Sequence, residues 1–241
     1  MLTSPCPVCG HYNLKRDDRY VYCTNCHAYR VRIKWFLRPA VWTMRRTGWW
    51  WRLPILAMFA YFLWQNWQDP QFALHRFANP FSAVDLGIHE IGHFVFMPLG
   101  EFMHILGGSL FQCLVPLIAM AGFLQIRMYF AAAMTWCWLG LNFFDVATYI
   151  ADAEMRILPL VGPGSLGVGE DTNAALDQGH DWYQILSRIG HLNDDLVIAA
   201  SLRDAATVVT CIGLALGALI VMGMFIAMLR KIISRAHAIK G

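Results

Sequence analysis

The residues best suited to chemistry in this chain are His89-Glu90-Ile91-Gly92-His93, which have the pattern H-E-x-x-H. On a helix, residues four apart lie on one face, so His89 and His93 point the same way. Two imidazoles one turn apart can occupy two corners of a tetrahedral zinc site. Glu90 would then lie beside the metal, where its carboxylate can take a proton from water. The motif therefore predicts a hydrolytic zinc centre, with His89 and His93 as ligands and Glu90 as general base.

A catalytic zinc site needs a third protein ligand and keeps the fourth position for water. Asp145 lies in a later apolar segment, at about the depth of the motif if the two segments run in the same direction. Placing a carboxylate so deep in an apolar segment costs free energy, so a residue of this kind usually has a functional role. Asp145 is therefore the predicted third ligand. Asp152, two turns later on the same helical face, is the alternative.

Other polar residues close to the motif are candidates for accessory roles. Asp85 lies one turn before His89, where it either orients a ligand imidazole or caps the start of the helix. His104 and Gln112 lie near the start of the next apolar segment. They either take part in the chemistry or form hydrogen bonds between helices.

His180-Asp181-Trp182 forms a second accessory candidate, in an acidic segment after Gly179. Loops at the mouth of a site often carry functional residues, so His180 and Asp181 could supply a ligand or a substrate contact. Alternatively, Asp181 is only an N-cap, because a helical pattern begins there. The sequence is consistent with both interpretations.

Two C-x-x-C pairs near the N-terminus, with thirteen residues between them, predict a second metal site. The spacing fits a zinc ribbon with four thiolate ligands, and a closed site of that kind is structural. Tyr20–Tyr22 between the pairs alternates like a short strand. We therefore expect residues 1–31 to be a zinc ribbon that binds a cytoplasmic protein partner. Its ligands would be Cys6, Cys9, Cys23 and Cys26.

The composition excludes an ordinary soluble domain, because 57% of the residues are hydrophobic and only 15% are charged. The sequence predicts an all-α polytopic membrane protein embedded in the lipid bilayer, with the ribbon as an added module. Four transmembrane helices are expected within residues 53–150, and a fifth at residues 205–229. The four segments are 53–67, 81–99, 105–124 and 128–150.

The remaining segments are polar and differ in charge. Residues 32–52 are basic and rich in tryptophan, as is typical of a membrane interface. That position accounts for the charge, so nucleic acid is not an expected partner. Residues 151–204 carry nine Asp or Glu and three Arg, and are predicted to form a loop, at 158–169, and a helix, at 181–202. Residues 230–241 form a basic tail.

Charge also predicts the orientation in the membrane. Ten Lys and Arg residues in the first 52 should keep the N-terminus cytoplasmic, as in an integral protein of a prokaryotic inner or plasma membrane. With five spans, the motif and the acidic segment 151–204 then lie toward the cytoplasm. The same count places the basic tail outside, against the positive-inside tendency.

The motif helix followed two spans later by an aspartate resembles the site-2 protease family of intramembrane zinc metalloproteases, over residues 81–150. The resemblance implies a core of three transmembrane helices, in which His89, His93 and Asp145 bind one zinc ion and Glu90 is the base. It implies hydrolysis of a peptide bond in a membrane-anchored protein, from the cytoplasmic side. That family usually has glycine after the aspartate, where this chain has Val146. Together with the ribbon, two zinc ions are expected, one catalytic and one structural.

Two other functions are consistent with the sequence. In the first, the protein is a non-catalytic membrane scaffold or sensor with a cytoplasmic binding module, and its intramembrane site is degenerate. In the second, it is a metal transporter, because intramembrane His and Asp residues also mark ion pathways.

Overall fold

The structure is a computed structural model that describes residues 5–6, 8–16, 20–27, 29–31, 42–43, 48–68, 81–126, 128–158 and 179–240. Within these ranges a small antiparallel sheet is followed by six α-helices. The chain is therefore mostly helical, as predicted. Three of the described helical segments are long and apolar enough to cross a membrane: Glu101–Gln125, Tyr129–Ala151 and Leu192–Ile226.

The N-terminal sheet has four strands in sequence order, each antiparallel to the next. They are β1 (Leu14–Arg16), β2 (Tyr20–Cys23), β3 (Tyr29–Val31) and β4 (Trp42–Thr43). The predicted strand at Tyr20–Tyr22 is confirmed as part of β2. Since β4 pairs with β3, the sheet extends beyond residue 31 into the segment predicted as a membrane interface.

The helices follow the predicted apolar segments with shifted ends. They are α1 (Arg52–Gln68), α2 (Ser82–Phe96), α3 (Glu101–Gln125), α4 (Tyr129–Ala151), α5 (Asp181–Ile189) and α6 (Asp195–Lys240). Short 3-10 turns at Met97–Leu99 and Leu192–Asp194 precede α3 and α6. The predicted helix at 181–202 is thus divided between α5, a turn and the start of α6. Of the predicted loop at 158–169, all but Leu158 lies outside the described residues.

The first two predicted spans are short helices. At 1.5 Å per residue, the 17 residues of α1 and the 15 residues of α2 give about 26 and 22 Å, against a hydrocarbon thickness of about 30 Å. Their Trp49–Trp51 and Met97–Leu99 flanks add turns rather than regular helix. The five full-length spans expected from hydropathy are therefore three long helices and two shorter ones.

The core of the bundle lies between α1, α4 and α6, where small residues permit close packing. A Cβ atom on Gly140 of α4 would collide with the Thr210 hydroxyl oxygen of α6. Cys137 of α4 packs in the same way against Gly213. Large apolar side chains fill the space around this crossing, among them Phe59, Phe62, Phe130, Leu141, Phe144 and Val221.

The bundle has two distinct ends. At one, the Trp49 ring lies 4.9 Å from the Phe225 ring, and the Arg52 guanidinium lies 5.3 Å from the Phe130 ring centre. We call this the Trp49 end; it comprises 48–52, the α3–α4 connection and residues 225–228. At the other, Arg203 donates to the backbone carbonyl of Asn66. We call this the Tyr149 end; it comprises the C-terminal part of α1, the α2–α3 turn, residues 149–158 and α5. Helices α1 and α6 therefore run antiparallel.

Helix α2, which carries the motif, begins inside the bundle rather than at either end. The Phe81 ring, directly before it, stacks on Phe59 at 5.9 Å and lies 5.8 Å from Trp138. Those residues are near the middle of α1 and α4. From there α2 runs to the Tyr149 end, where His89 faces the Tyr149 ring at 6.0 Å. Helix α2 therefore extends from the middle of the bundle to one end and does not cross the whole bundle.

The α4–α6 crossing predicts a stability difference between two glycine substitutions. Gly140→Ala should destabilise the protein by about 1–3 kcal/mol, because the new methyl group overpacks the crossing. The apparent Tm in detergent should fall by about 2–4 °C for each kcal/mol. Gly122→Ala on α3 is the matched control, since its Cβ would have no neighbour within 4 Å. Equal melting temperatures for the two variants would contradict this packing.

Candidate metal centre

The two motif histidines and one carboxylate converge on a single point. The His89 and His93 rings are 4.9 Å apart between centroids, and both Nε2 atoms face the same oxygen of Asp181. The Nε2–Oδ2 distances are 3.0 Å for His89 and 3.3 Å for His93. One ligand atom from each residue lies within 4.8 Å of the other two. These three residues could therefore hold a metal ion.

The separations also fit the size of a zinc site. In a tetrahedron with metal–ligand distances of 2.0–2.1 Å, neighbouring ligand atoms are about 3.3 Å apart. Both imidazoles also face an acceptor through Nδ1, although a neutral imidazole has only one N–H. A cation between the Nε2 atoms and the carboxylate satisfies all three groups without protonating either ring.

Each imidazole is oriented by a hydrogen bond at its other nitrogen. His89 Nδ1 donates to Gln112 Oε1 at 3.1 Å, and His93 Nδ1 donates to the backbone carbonyl of His104 at 2.8 Å. His104 Nδ1 in turn donates to the His93 carbonyl at 2.8 Å. Because a proton on Nδ1 leaves the lone pair on Nε2, Nε2 of both rings is available to a metal ion.

Gln112 depends on a buried polar pair on α4. Its Nε2 donates to Asp145 Oδ2 at 2.7 Å and to Asn142 Oδ1 at 3.3 Å. A carboxylate only accepts, so the amide nitrogen of Gln112 must face Asp145, and Oε1 is left for His89. Asn142, fully buried, donates through Nδ2 to the backbone carbonyl of Gln112 at 2.9 Å. Gln112, predicted as an accessory residue, thus links α4 to a ligand imidazole.

The third member of the group is therefore Asp181, not the predicted Asp145. The prediction placed Asp145 from its depth in a full-length second span. Because α2 begins at mid-bundle, His89 lies level with Tyr149 of α4 and not with Asp145, one turn earlier. The Asp145 carboxylate accepts a hydrogen bond from Gln112 instead. Asp181 was predicted as an accessory residue that could supply a ligand or a substrate contact, or as a cap. A sequence signal for it existed in His180-Asp181-Trp182, three consecutive side chains able to form hydrogen bonds where a helix begins.

The start of α5 is attached to α3 and α4 by three successive residues. The Asp181 N–H donates to the Tyr149 hydroxyl at 3.1 Å, and Trp182 Nε1 donates to the Ser109 hydroxyl at 3.0 Å. His180, fully buried, accepts from the Tyr183 N–H at 3.1 Å and is the actual N-cap. These contacts hold the Asp181 carboxylate against α2.

Asp152, predicted as the alternative third ligand, instead forms hydrogen bonds with residues that follow α4 and precede α5. Its Oδ2 lies 3.3 Å from His180 Nε2, and its carboxylate accepts the backbone N–H groups of Ile157 and Leu158. Because Nδ1 of His180 accepts from Tyr183, the proton on Nε2 is free for Asp152. Asp152 therefore organises the turn after α4 and supports the residue before Asp181.

Charge at the centre is set by Asp181. Burial raises the pKa of its carboxyl, but the adjacent imidazoles of His89 and His93 outweigh burial and hold the pKa below its ordinary value. The carboxylate is therefore ionised at neutral pH, as a metal ligand must be.

Space for an ion comes from Gly108 on α3. A Cβ atom there would lie 2.5 Å from His89 Nε2 and 2.7 Å from His93 Nε2. Gly92 and Gly107 let α2 and α3 approach closely, since a Cβ on Gly107 would lie 2.7 Å from Phe96 Cβ. The absence of a side chain at Gly108 therefore leaves room beside both Nε2 atoms.

Glu90 is half-buried on α2, one residue after His89 and three before His93. On a helix, residues three apart are neighbours on the surface, so Glu90 emerges next to His93.

Asp85, by contrast, is fully buried and accepts a 2.8 Å hydrogen bond from Trp138 Nε1. It is not the N-cap of α2, which is Phe81. One of its carboxylate oxygens, Oδ2, has no hydrogen-bond partner among the described residues.

The four N-terminal cysteines form a separate cluster beside the end of β2, whose last residue is Cys23. Their sulfur atoms lie within 4.8 Å of one another, with Cys6 and Cys26 3.7 Å apart and Cys9 and Cys23 3.6 Å apart. A hydrogen bond from the His11 backbone lowers the pKa of the Cys9 thiol to about 6, although burial acts in the opposite direction. The cluster could hold a metal ion, as the C-x-x-C spacing predicts.

Comparison with protein-family models, with curated proteins and with solved structures gives no match for this chain. Interpretation of the centre therefore depends on its own geometry and chemistry.

The different positions of Asp181 and Asp145 predict different effects on metal affinity. Asp181→Ala removes a ligand, so the centre should retain no metal after purification. Asp145→Ala loosens Gln112 and should weaken metal binding by about 10–100-fold, as other losses behind a ligand histidine do. Zinc titration against a competing chelator measures both. If Asp145→Ala lost all metal binding and Asp181→Ala retained it, the result would support Asp145 as the third ligand, as predicted from the sequence.

Gly108→Ala should also remove metal from this centre, because the added methyl group occupies the space beside both Nε2 atoms. Gly87→Ala on α2 is the matched control, since its Cβ would meet no atom within 4 Å. Metal content of the two purified variants is the measurement, with circular dichroism to verify the fold. Full metal content in a folded Gly108→Ala protein would show that the ion binds elsewhere.

Proposed function

We propose that this protein is a membrane-embedded zinc peptidase that hydrolyses a peptide bond in a membrane-anchored protein. The observation that carries the proposal is the convergence of His89 Nε2, His93 Nε2 and Asp181 Oδ2 within 4.8 Å. Two imidazoles and one carboxylate, with a fourth position for water, are a ligand set of catalytic zinc. The same set also serves non-haem iron, but a glutamate directly after the first histidine favours hydrolysis.

The chain supplies the proton transfers. A bound zinc ion would lower the pKa of water and polarise the scissile carbonyl. Glu90 takes the proton from the attacking water and delivers it to the leaving amine, so that one carboxylate serves first as base and then as acid. Gln112 and the His104 carbonyl keep both imidazoles oriented while charge changes beside them.

The surroundings favour a substrate within or at the edge of the membrane. The ligand histidines lie on α2, which packs against α3, and α3 in turn packs against α4. Both α3 and α4 are long and apolar enough to span a bilayer. A transmembrane substrate helix would have to unwind locally, because its peptide bonds are shielded by their own hydrogen bonds. In this proposal the cysteine cluster holds a second, structural zinc ion, and the ribbon binds a cytoplasmic protein.

Glu90→Gln is the direct test of the reaction. The variant should keep its zinc but lose at least about 10²-fold in activity, because removal of a general base typically costs 10²–10⁴-fold. Cleavage of fluorescently labelled casein by detergent-purified protein, with and without a zinc chelator, provides the assay. Glu154→Gln, the same chemical change at an exposed glutamate of the Tyr149 end, is the matched control.

Three results are distinguishable in that assay. Chelator-sensitive cleavage by wild type and Glu154→Gln, but not by Glu90→Gln, supports the peptidase. Equal cleavage by wild type and Glu90→Gln contradicts the assigned base. Absence of cleavage by wild type against casein and against a detergent-solubilised model transmembrane peptide favours the scaffold alternative.

A further inference from the structure

The metal centre and the N-terminal segment belong to opposite ends of the helical bundle. Residues 48–51, directly before α1, lie at the Trp49 end, where Trp49 Nε1 donates to Met228 Sδ at 3.3 Å. Asp181 and its supports lie at the Tyr149 end, where Asp195 accepts from the Glu154 N–H at 3.1 Å and joins α6 to the end of α4. A membrane around this bundle would separate the two.

The helices that the structure describes cross between these ends an even number of times. Helices α1 and α4 run toward the Tyr149 end, whereas α3 and α6 run toward the Trp49 end. Helix α2 starts beside Phe59 and Trp138 at mid-bundle and adds no crossing. The segments before α1 and after the apolar part of α6 therefore leave the bundle on the same side.

Charge is distributed unequally between the two ends. Of the 19 Lys and Arg residues, ten precede Leu53, one lies between α3 and α4, and four follow Leu229; all of these segments adjoin the Trp49 end. The other four are Arg76, Arg156, Arg188 and Arg203, in segments joined to the Tyr149 end. Nine of the 16 Asp and Glu residues lie in 151–204, a segment whose described parts, 151–158 and 179–204, begin and end at the Tyr149 end.

We propose that the Trp49 end is cytoplasmic and that the metal centre opens on the exoplasmic face of the membrane. The positive-inside rule assigns the Lys- and Arg-rich connections to the cytoplasm. The cysteine cluster then lies in a reducing compartment, where its thiols stay available to metal. The proposal reverses the orientation of the site predicted from five spans. It also removes the conflict of a basic tail on the outside.

The orientation also defines the substrate class, a step that depends on the proposed peptidase activity. Gly108, beside both ligand nitrogens, is seven residues from the start of α3, or about 10 Å along the helix from the Tyr149 end. The scissile bond would therefore lie close to the exoplasmic end of the substrate's membrane segment. Helix ends fray more readily than helix centres, so a peptide bond there is easier to expose.

Cysteine labelling in spheroplasts that express the full chain tests the orientation. Ser187→Cys places a thiol on the exposed surface of α5, and Gln125→Cys places one at the exposed end of α3. A membrane-impermeant maleimide is added from outside, with the wild type as the background for the native cysteines. We expect Ser187→Cys to be labelled in intact spheroplasts, and Gln125→Cys to be labelled only after detergent permeabilisation.

The opposite pattern would overturn the proposal: Gln125→Cys labelled from outside, with Ser187→Cys protected until permeabilisation. Labelling requires neither zinc nor cleavage, so the result is independent of the peptidase assay. Repeating it with Glu90→Gln in the Ser187→Cys background keeps the two questions apart. An exoplasmic site without cleavage would refute the peptidase alone, whereas a cytoplasmic site with cleavage would refute the orientation alone.

Discussion

The contact on which this structure depends is the carboxylate of Asp181 between the imidazoles of His89 and His93. It joins residues 92 positions apart, and it brings a short helix outside the long apolar segments onto the motif helix. Burying three ionisable groups is costly unless they compensate one another. Here each imidazole has an acceptor at Nδ1, and the carboxylate faces both Nε2 atoms. The closeness of α2 to α3 and the attachment of α5 to α4 both serve this arrangement.

The support behind each ligand comes from a different helix. Gln112 on α3, held by Asp145 and Asn142 on α4, orients His89, whereas the backbone at His104 orients His93. His180 and its partner Asp152 fix the start of the helix that begins with Asp181. A change in one of these helices should therefore reach the three converging side chains through these hydrogen bonds.

Much of the centre could be predicted from local pattern, and the remainder could not. The four-residue spacing of His89 and His93 and the paired cysteines predict ligands because each pattern lies within one turn or knuckle. Hydropathy located the helices within a few residues, except that the last is continuous from Asp195. The convergence of Asp181 with the motif was not predicted, because depth was counted along a full-length span and hydropathy does not show that α2 begins at mid-bundle. Tertiary contacts, such as Phe81 on Phe59 and Asp181 on His89, carry that information.

X-ray absorption spectroscopy at the zinc edge tests the central claim most directly. The sample is the full chain with Cys6→Ser and Cys9→Ser, so that zinc in the cysteine cluster does not contribute. A centre of two imidazoles, one carboxylate and water predicts only nitrogen and oxygen neighbours at about 2.0–2.2 Å, with the outer-ring scattering of two histidines. A variant that retains no zinc, or a sulfur neighbour at about 2.3 Å, would contradict a metal centre built from α2 and α5.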